Sequence, residues 1–318
     1  MYCLQIIGGV IGLCIGAELI VRGSINLSYI YKWSTYLIGF TIVALGTSLP
    51  EFASSIQAIK LDSVSVAIGN VIGSNVANIL LVIGAVGLVS PIIFPESNQP
   101  LAMFIATLII LVIFYLSIER NFDSVSMGVV FICLSVAYLF WQYKFSDKVK
   151  EEDLKPFSKT KSYIYLFFGF ILLYYGSLFF IKGAIILADT VGVSETIIGL
   201  TVVALGTSLP ELVTGIAAAR KQQFGLAVGT ILGSNIYNIA VILGVILFTY
   251  KGELNNIITD NSEKMELSIN AIIMAIVTLL FVSKLRWGLL IGPSNRIGRR
   301  TGTIFIGFYL LYILYNFL

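Results

Sequence analysis

Histidine is absent from the 318-residue sequence, and only 12% of its residues are charged. Without imidazole there is no His-based acid–base catalysis and no His metal ligation. Soluble domains carry about 25% charged residues, so charge here stands at half its usual level, too little to solvate a globular surface. The three cysteines, Cys3, Cys14 and Cys133, are odd in number and lie in apolar stretches, so no disulfide framework follows. No G-x-x-x-x-G-K-[ST] sequence occurs, and nothing supports an ATP-driven pump. No cofactor fingerprint or Ser-based triad motif is found, which leaves a membrane enzyme without support. A net charge of +3, with the basic residues in short loops, makes no case for a nucleic-acid partner.

What is present is apolar surface. The chain is 58% hydrophobic, with a mean hydropathy of +0.95. A transmembrane helix needs about 20 mostly apolar residues. Ten such runs can be marked, at 2–31, 35–60, 64–89, 100–118, 124–143, 162–188, 195–219, 224–249, 267–283 and 302–317. The composition therefore predicts an all-α, multi-pass integral membrane protein with the lipid bilayer as its surroundings. The first apolar run lacks the basic region of a signal peptide and continues too far to be one, so it is read as the first span. Residues 144–161 form the only strongly charged stretch and read as a cytoplasmic linker between a first half (1–143) and a second half (162–318).

Orientation follows from lysine and arginine. With ten spans and the N-terminus outside, the inner loops hold 14 of the 20 basic residues, among them Lys32, Arg220, Lys221 and Lys284. Both termini are then extracytoplasmic, and the plasma membrane is the expected location. Oligomeric state leaves no mark on the sequence.

The chain also repeats itself. With a shift of 160, residues 39–84 lie over 199–244 without a gap, and 21 of the 46 pairs are identical. The block from Val43 to Glu51 recurs letter for letter as Val203 to Glu211. Generic hydrophobicity does not produce such a match. Each half holds five spans, an odd number, so the second copy must cross the bilayer upside down. Inverted repeats of five spans with a site near the midplane between them are a common architecture of secondary transporters.

Within each copy, Gly46-Thr47-Ser48-Leu49-Pro50-Glu51 and Gly206-Thr207-Ser208-Leu209-Pro210-Glu211 interrupt an apolar span. Proline removes a backbone donor and clashes with the preceding turn. The helices should break there and free the carbonyls of about Ala44 to Thr47 and Ala204 to Thr207. Backbone freed at membrane depth persists only inside protein or beside a watery cavity. A carboxylate at such a depth costs roughly 2.5–3.5 kcal/mol or more, so it needs a purpose. Carbonyls, hydroxyls and a carboxylate form a hard-oxygen ligand set suited to Ca²⁺, Mg²⁺ or Na⁺. In the following span, Ser74 and Asn78 are four apart, as are Ser234 and Asn238, so each pair shares a helix face. Gly69 and Gly73, like Gly229 and Gly233, have the spacing that lets another helix approach closely. Two glutamates supply a charge of −2, which one Ca²⁺, two Na⁺ or two H⁺ would neutralise.

The duplicated GTSLPE motifs, followed by GNVIGSNVANILLVIG and GTILGSNIYNIAVILG, resemble the α-repeats of the sodium/calcium exchanger family, within the cation/calcium antiporter superfamily. The resemblance implies a ten-helix antiporter that moves Ca²⁺ against Na⁺ by alternating access. It implies that Glu51 and Glu211 ligate Ca²⁺, with the carbonyls of Thr47 and Thr207. Flanking Na⁺ sites would use Ala44, Thr47, Ser74 and Glu51 on one side, and Ala204, Thr207, Ser234 and Glu211 on the other. Asn78 would line the centre, with Ser48 and Ser208 nearby. Some members carry aspartate where this chain has Asn238, so potassium cotransport is not expected. The resemblance implies no cofactor, the transported ions being Ca²⁺ and Na⁺.

Other readings stay open at this point. Glutamates also carry protons, so an H⁺/Ca²⁺ antiporter, or one for another divalent ion, remains a rival. A cation channel fits less well, because pores are built from rings of repeated ligands. The two glutamates could instead be paired with a structural partner in the bundle. Glu18 has Arg22 one turn away and reads as a local ion pair. The aromatics Phe167, Phe168, Tyr174, Tyr175, Phe179 and Phe180 read as lipid-facing or interfacial.

Overall fold

In a computed structural model that describes residues 2–61, 63–94, 99–120, 122–145, 158–190, 204–250, 261–287 and 296–317, the chain is almost wholly helical. Helix α1 is Tyr2–Tyr31. The next rod is built in pieces: α2 (Thr35–Ile38), a π-helical stretch Gly39–Val43, α3 (Ala44–Thr47) and α4 (Leu49–Lys60). The third comprises α5 (Val64–Ala77), a π-helical stretch Asn78–Val82 and α6 (Ile83–Val89). Helices α7 (Gln99–Glu119), α8 (Ser124–Phe145) and α9 (Lys159–Thr190) are continuous. In the second half come α10 (Ala204–Thr207), α11 (Leu209–Arg220) and α12 (Phe224–Ile236). A π-helical stretch Tyr237–Ile242 leads to α13 (Leu243–Tyr250), then α14 (Asn261–Trp287) and α15 (Arg299–Phe317).

Among the described residues, eight rods are long and apolar enough to cross a bilayer: Tyr2–Tyr31, Thr35–Lys60, Val64–Val89, Leu101–Ile118, Ser124–Lys144, Lys159–Leu187, Phe224–Tyr250 and Met265–Leu285. Of the two further expected spans, 195–219 begins outside the described residues and is seen as α10 and α11. The other, 302–317, is the 19-residue helix α15, whose first turns (Arg299-Arg300-Thr301-Gly302-Thr303) dilute its apolar content. Helix α14 also runs past its expected ends, 267–283, and takes Lys284, expected in a loop, into a buried helical position.

The expectation of a purely α-helical chain needs one correction. Ile92–Ile93 (β1) pairs antiparallel with Arg296–Ile297 (β2), joining the loops after the third and ninth expected spans. The cause is local. Ser90, which precedes Pro91, is forced out of the helix into an extended conformation (φ −147°, ψ 126°). The two β-branched isoleucines that follow continue extended, and Ile92 and Ile297 are fully buried.

Packing sorts the rods into an inner and an outer set. The apolar windows of Val64–Val89 and Phe224–Tyr250 are 78% and 83% buried, against 28–39% for the five outer spans. The duplicated segments thus form the interior. Side chains such as Phe167, Phe168, Tyr175 and Phe179 point outward, as expected of lipid-facing aromatics, whereas Tyr174 and Phe180 are half-buried.

Helices α1 and α9 run antiparallel and almost touch backbone to backbone. Gly9, Gly16 and Gly23 recur every seven residues on one, and Gly169, Gly176 and Gly183 on the other. A Cβ on Gly16 would lie 2.8 Å from the carbonyl oxygen of Gly169, and one on Gly176 would lie 2.9 Å from the backbone nitrogen of Leu13. Neither position has room for a side chain. A seven-residue period keeps one seam facing the partner along the whole length.

Candidate cation-binding site

The two GTSLPE motifs sit at matching interruptions. After α3, Ser48 leaves helical geometry (φ −81°, ψ 7°), and α4 restarts at Leu49 with Pro50 in its first turn. Ser208 does the same (φ −84°, ψ 2°) before α11 and Pro210. Proline is well placed there, since its missing N–H falls where a helix start has no partner for it. Glu51 and Glu211 consequently lie in the first turn of their helices. The partial positive charge of a helix N-terminus favours an ionised carboxylate at that position.

The expected free carbonyls are fewer than the proline rule suggests. The Ala44 carbonyl accepts from the Ser48 amide at 3.0 Å and from the Thr47 hydroxyl at 3.3 Å. The Gly206 carbonyl, which Pro210 deprives of its helical donor, accepts from the Ser177 hydroxyl at 2.7 Å. The break is a one-residue hinge, so neighbouring donors reach these two carbonyls.

The two motifs converge. Glu211 Oε1 accepts from Ser234 Oγ at 3.1 Å and from Ser48 Oγ at 3.3 Å, the latter reaching across from the other copy. Thr47 Oγ1 lies 3.4 Å from Ser234 Oγ, and Asn78 Nδ2 donates to Asn235 Oδ1 at 3.0 Å. Ser48, three residues before Glu51, thus bonds the carboxylate of the other copy. Ala44, Thr47, Ser48, Glu51, Ser74, Asn78, Thr207, Ser208, Glu211, Ser234 and Asn238 are all at most 4% exposed. Ala204 opens α10. Hydrogen bonds thus join Thr47, Ser48 and Asn78 of the first copy to Glu211, Ser234 and Asn235 of the second in a buried polar cluster.

That cluster is polar beyond its own means. Both Glu51 carboxylate oxygens, Glu211 Oε2, Asn78 Oδ1, Ser208 Oγ and both amide atoms of Asn238 are buried without a hydrogen-bond partner. Each unsatisfied buried polar group costs about 1–3 kcal/mol, and a charged one more. Among the described residues no lysine or arginine pairs with either glutamate; the ion pairs found join Glu18 to Arg22 and to Lys221, the latter at 2.9 Å. A structural ion pair thus fails to account for Glu51 and Glu211. Nearly all the orphaned atoms are oxygens, the donor type a hard cation takes. The Glu18–Arg22 pair stands as the sequence suggested, with Lys221 as an additional partner.

The two halves are not equivalent. Ser234 bonds Glu211, whereas Ser74 makes no such bond to Glu51, whose oxygens lack partners. Gly229 and Gly233 do admit a close helix, a Cβ there meeting the carbonyls of Tyr36 and Phe40 at 2.2 and 2.5 Å. Gly69 and Gly73 have nothing among the described residues nearer than 3.8 and 3.7 Å. Residues 196–200, which correspond to Tyr36–Phe40 in the repeat, lie outside the described residues.

Sequence reasoning passed over several residues of the cluster. Asn235 bridges to Asn78, and its identity with Asn75 in the duplicated block was the available signal. Tyr237 donates from its hydroxyl to the Thr41 carbonyl at 3.3 Å, and Asn70 contacts the backbone of Glu51. The π-helical stretches starting at Asn78 and Tyr237 occupy equivalent places in the two copies, and such stretches often mark functional sites.

The sequence pattern of the family described as "sodium/calcium exchanger protein" matches residues 1–144 and 161–318. An uncharacterized membrane protein of Methanocaldococcus jannaschii is 33% identical over 308 residues, 96% of this chain and 94% of its own. The sodium/calcium exchanger MaX1 of Methanosarcina acetivorans is 28% identical over 74% of this chain and 80% of its own. A solved structure of the sodium–calcium exchanger NCX_Mj, soaked with 2.5 mM Na⁺ and 0.1 mM Ca²⁺, is 31% identical, covers 98% of this chain and 97% of its own, and superposes with a TM-score of 0.76.

Proposed function

Since the chain belongs to the sodium/calcium exchanger protein family, we propose that it exchanges Na⁺ for Ca²⁺ across the membrane by alternating access to a single oxygen-lined site. The observation that carries this reading is the pair of buried glutamates, one from each copy, with orphaned oxygens and no basic partner among the described residues. In this reading Glu51 and Glu211 hold Ca²⁺ together with the carbonyls of Thr47 and Thr207. Na⁺ occupies flanking positions drawn from Ala44, Thr47 and Ser74 on one side and Ala204, Thr207 and Ser234 on the other. Ser48, Ser208, Asn78 and Asn238 line the centre. The site's charge of −2 is balanced by one Ca²⁺ or by two Na⁺, so either load leaves the pocket neutral, and the two ions exclude one another.

The topology we propose is ten spans in two inverted halves, 1–143 and 162–318, joined by a cytoplasmic linker at 144–161, with both termini outside a plasma membrane. Two observations support it. The β1–β2 pairing requires the loops near residues 92 and 297 to share one face, hence an even number of crossings between them. The antiparallel course of α1 and α9, the first helices of the two halves, is what an odd number of spans per half demands. The glycine seam holds these two helices together, and we assign them the moving part of the alternating-access cycle.

Protons are the competing counter-ion, since two carboxylates can carry two of them. Hydroxyl and amide oxygens have no use in proton carriage, and their number around the glutamates favours Na⁺. The test is Ca²⁺ uptake into proteoliposomes of the full chain. Uptake is expected when Na⁺ is loaded inside and absent outside, and a pH gradient of equal size should leave it at background. Uptake driven by the pH gradient alone would overturn the Na⁺ assignment.

A further inference from the structure

We propose that Asn70 is a positioning residue for the cation site, fixing the first turn of α4 and with it the Glu51 carboxylate. The inference rests on the exchange reading above and adds a residue to it. Asn70, Ser74 and Asn78 are spaced four apart and so share one face of their rod. Asn70 Nδ2 has three acceptors in reach, the Glu51 carbonyl oxygen at 3.2 Å, Ser54 Oγ at 3.0 Å and Ser55 Oγ at 2.9 Å, which its two N–H groups share. Ser54 Oγ in turn donates to the same Glu51 carbonyl at 3.0 Å. A carbonyl only accepts, so the amide must present its nitrogen here. One side chain on α5 thus clamps the backbone of the residue whose carboxylate faces the ion.

The clamp matters because the contacts that hold Glu51 act on its backbone and not on its carboxylate. Its carboxylate oxygens have no partner, whereas Glu211 is held directly through Oε1 by Ser48 and Ser234. Among the described residues the second copy shows no equivalent clamp. At the position matching Asn70 stands Thr230, which turns back to the Leu226 carbonyl of its own helix at 2.8 Å. Its hinge is secured instead by Ser177 on the Gly206 carbonyl, where the first copy has Ala17. Each half is braced by a group the other lacks. Glu51 is placed through its backbone, and Glu211 through its side chain.

A loosened Glu51 weakens capture of the ion more than it slows the conformational cycle. The experiment measures initial rates of Na⁺-driven ⁴⁵Ca²⁺ uptake by the reconstituted full chain across Ca²⁺ concentrations. Asn70→Ala is expected to raise KM for Ca²⁺ about tenfold, the effect of losing one strong hydrogen bond, with Vmax within about threefold of the parent. Asn70→Ser, which keeps one donor, should fall between the two and carries the comparison if the alanine variant does not survive purification. Thr230→Ala, the matching change in the other copy, should leave KM within twofold. A KM within twofold of the parent for both Asn70 variants overturns the proposal, as does a fall in Vmax at constant KM. If the parent shows no Na⁺-driven uptake, the exchange reading fails separately. Equilibrium ⁴⁵Ca²⁺ binding then decides on Asn70, with the same tenfold weakening expected and an unchanged Kd contradicting it.

Discussion

Glu51→Gln is expected to lower Na⁺-driven Ca²⁺ uptake by at least about a hundredfold, and Glu211→Gln to do the same. Glutamine keeps the shape of the side chain and one of its oxygens but removes the charge. Removing one partner of a buried charge pair costs about 3–5 kcal/mol, equivalent to roughly two to four orders of magnitude in affinity. The partner here is the ion itself, since no lysine or arginine among the described residues meets either glutamate. Each single change leaves a site of charge −1, which a bound Ca²⁺ would turn into a buried net charge of +1. The double variant should therefore be no worse than either single one. Measured as ⁴⁵Ca²⁺ flux in proteoliposomes, with monodispersity as the check on folding, independent and additive losses would show that the two glutamates serve separate sites.

The second large effect concerns stability. Two buried carboxylates with three of their four oxygens unpartnered destabilise the ion-free protein. Ca²⁺ at a hundred times its Kd stabilises the folded form by about 2.7 kcal/mol. For a chain of this size that corresponds to a rise in melting temperature on the order of 5 °C. The sign reverses in the variants. Without divalent ions, Glu51→Gln and Glu211→Gln are expected to melt at or above the parent, because one repelling charge is gone, and Ca²⁺ should raise neither. Thermal unfolding in detergent with and without Ca²⁺ measures this. A variant that melts well below the ion-free parent would mean that its carboxylate is structural.

How much of this was legible in the sequence follows a physical line. Whatever the duplication repeats could be read: the hinge at Ser48 and Ser208, the placement of Glu51 and Glu211 beside it, and the Ser74/Asn78 and Ser234/Asn238 faces all survive comparison of the copies. Whatever breaks the duplication could not. Asn70 against Thr230, and Ser177 against Ala17, differ between the copies, so neither residue announces its task. Both act on carbonyls across helices, and such contacts are set by packing rather than spacing. The proline rule missed the partner of the Gly206 carbonyl for the same reason, since it counts donors lost within a helix and not those gained from neighbours. The π-helical stretches left no trace either. Apolar periodicity locates a rod, and a single widened turn within it leaves composition unchanged. The Ile92–Ile93 pairing with Arg296–Ile297 joins segments some two hundred positions apart, beyond the reach of any local pattern.

The shared-site account is tested most directly by counting ions. Equilibrium ⁴⁵Ca²⁺ binding to the purified parent should saturate at one Ca²⁺ per chain, displaced competitively by Na⁺, and both Glu51→Gln and Glu211→Gln should abolish it entirely. Saturation at two Ca²⁺ per chain, with each substitution removing one and sparing the other, would contradict a single site held by both copies.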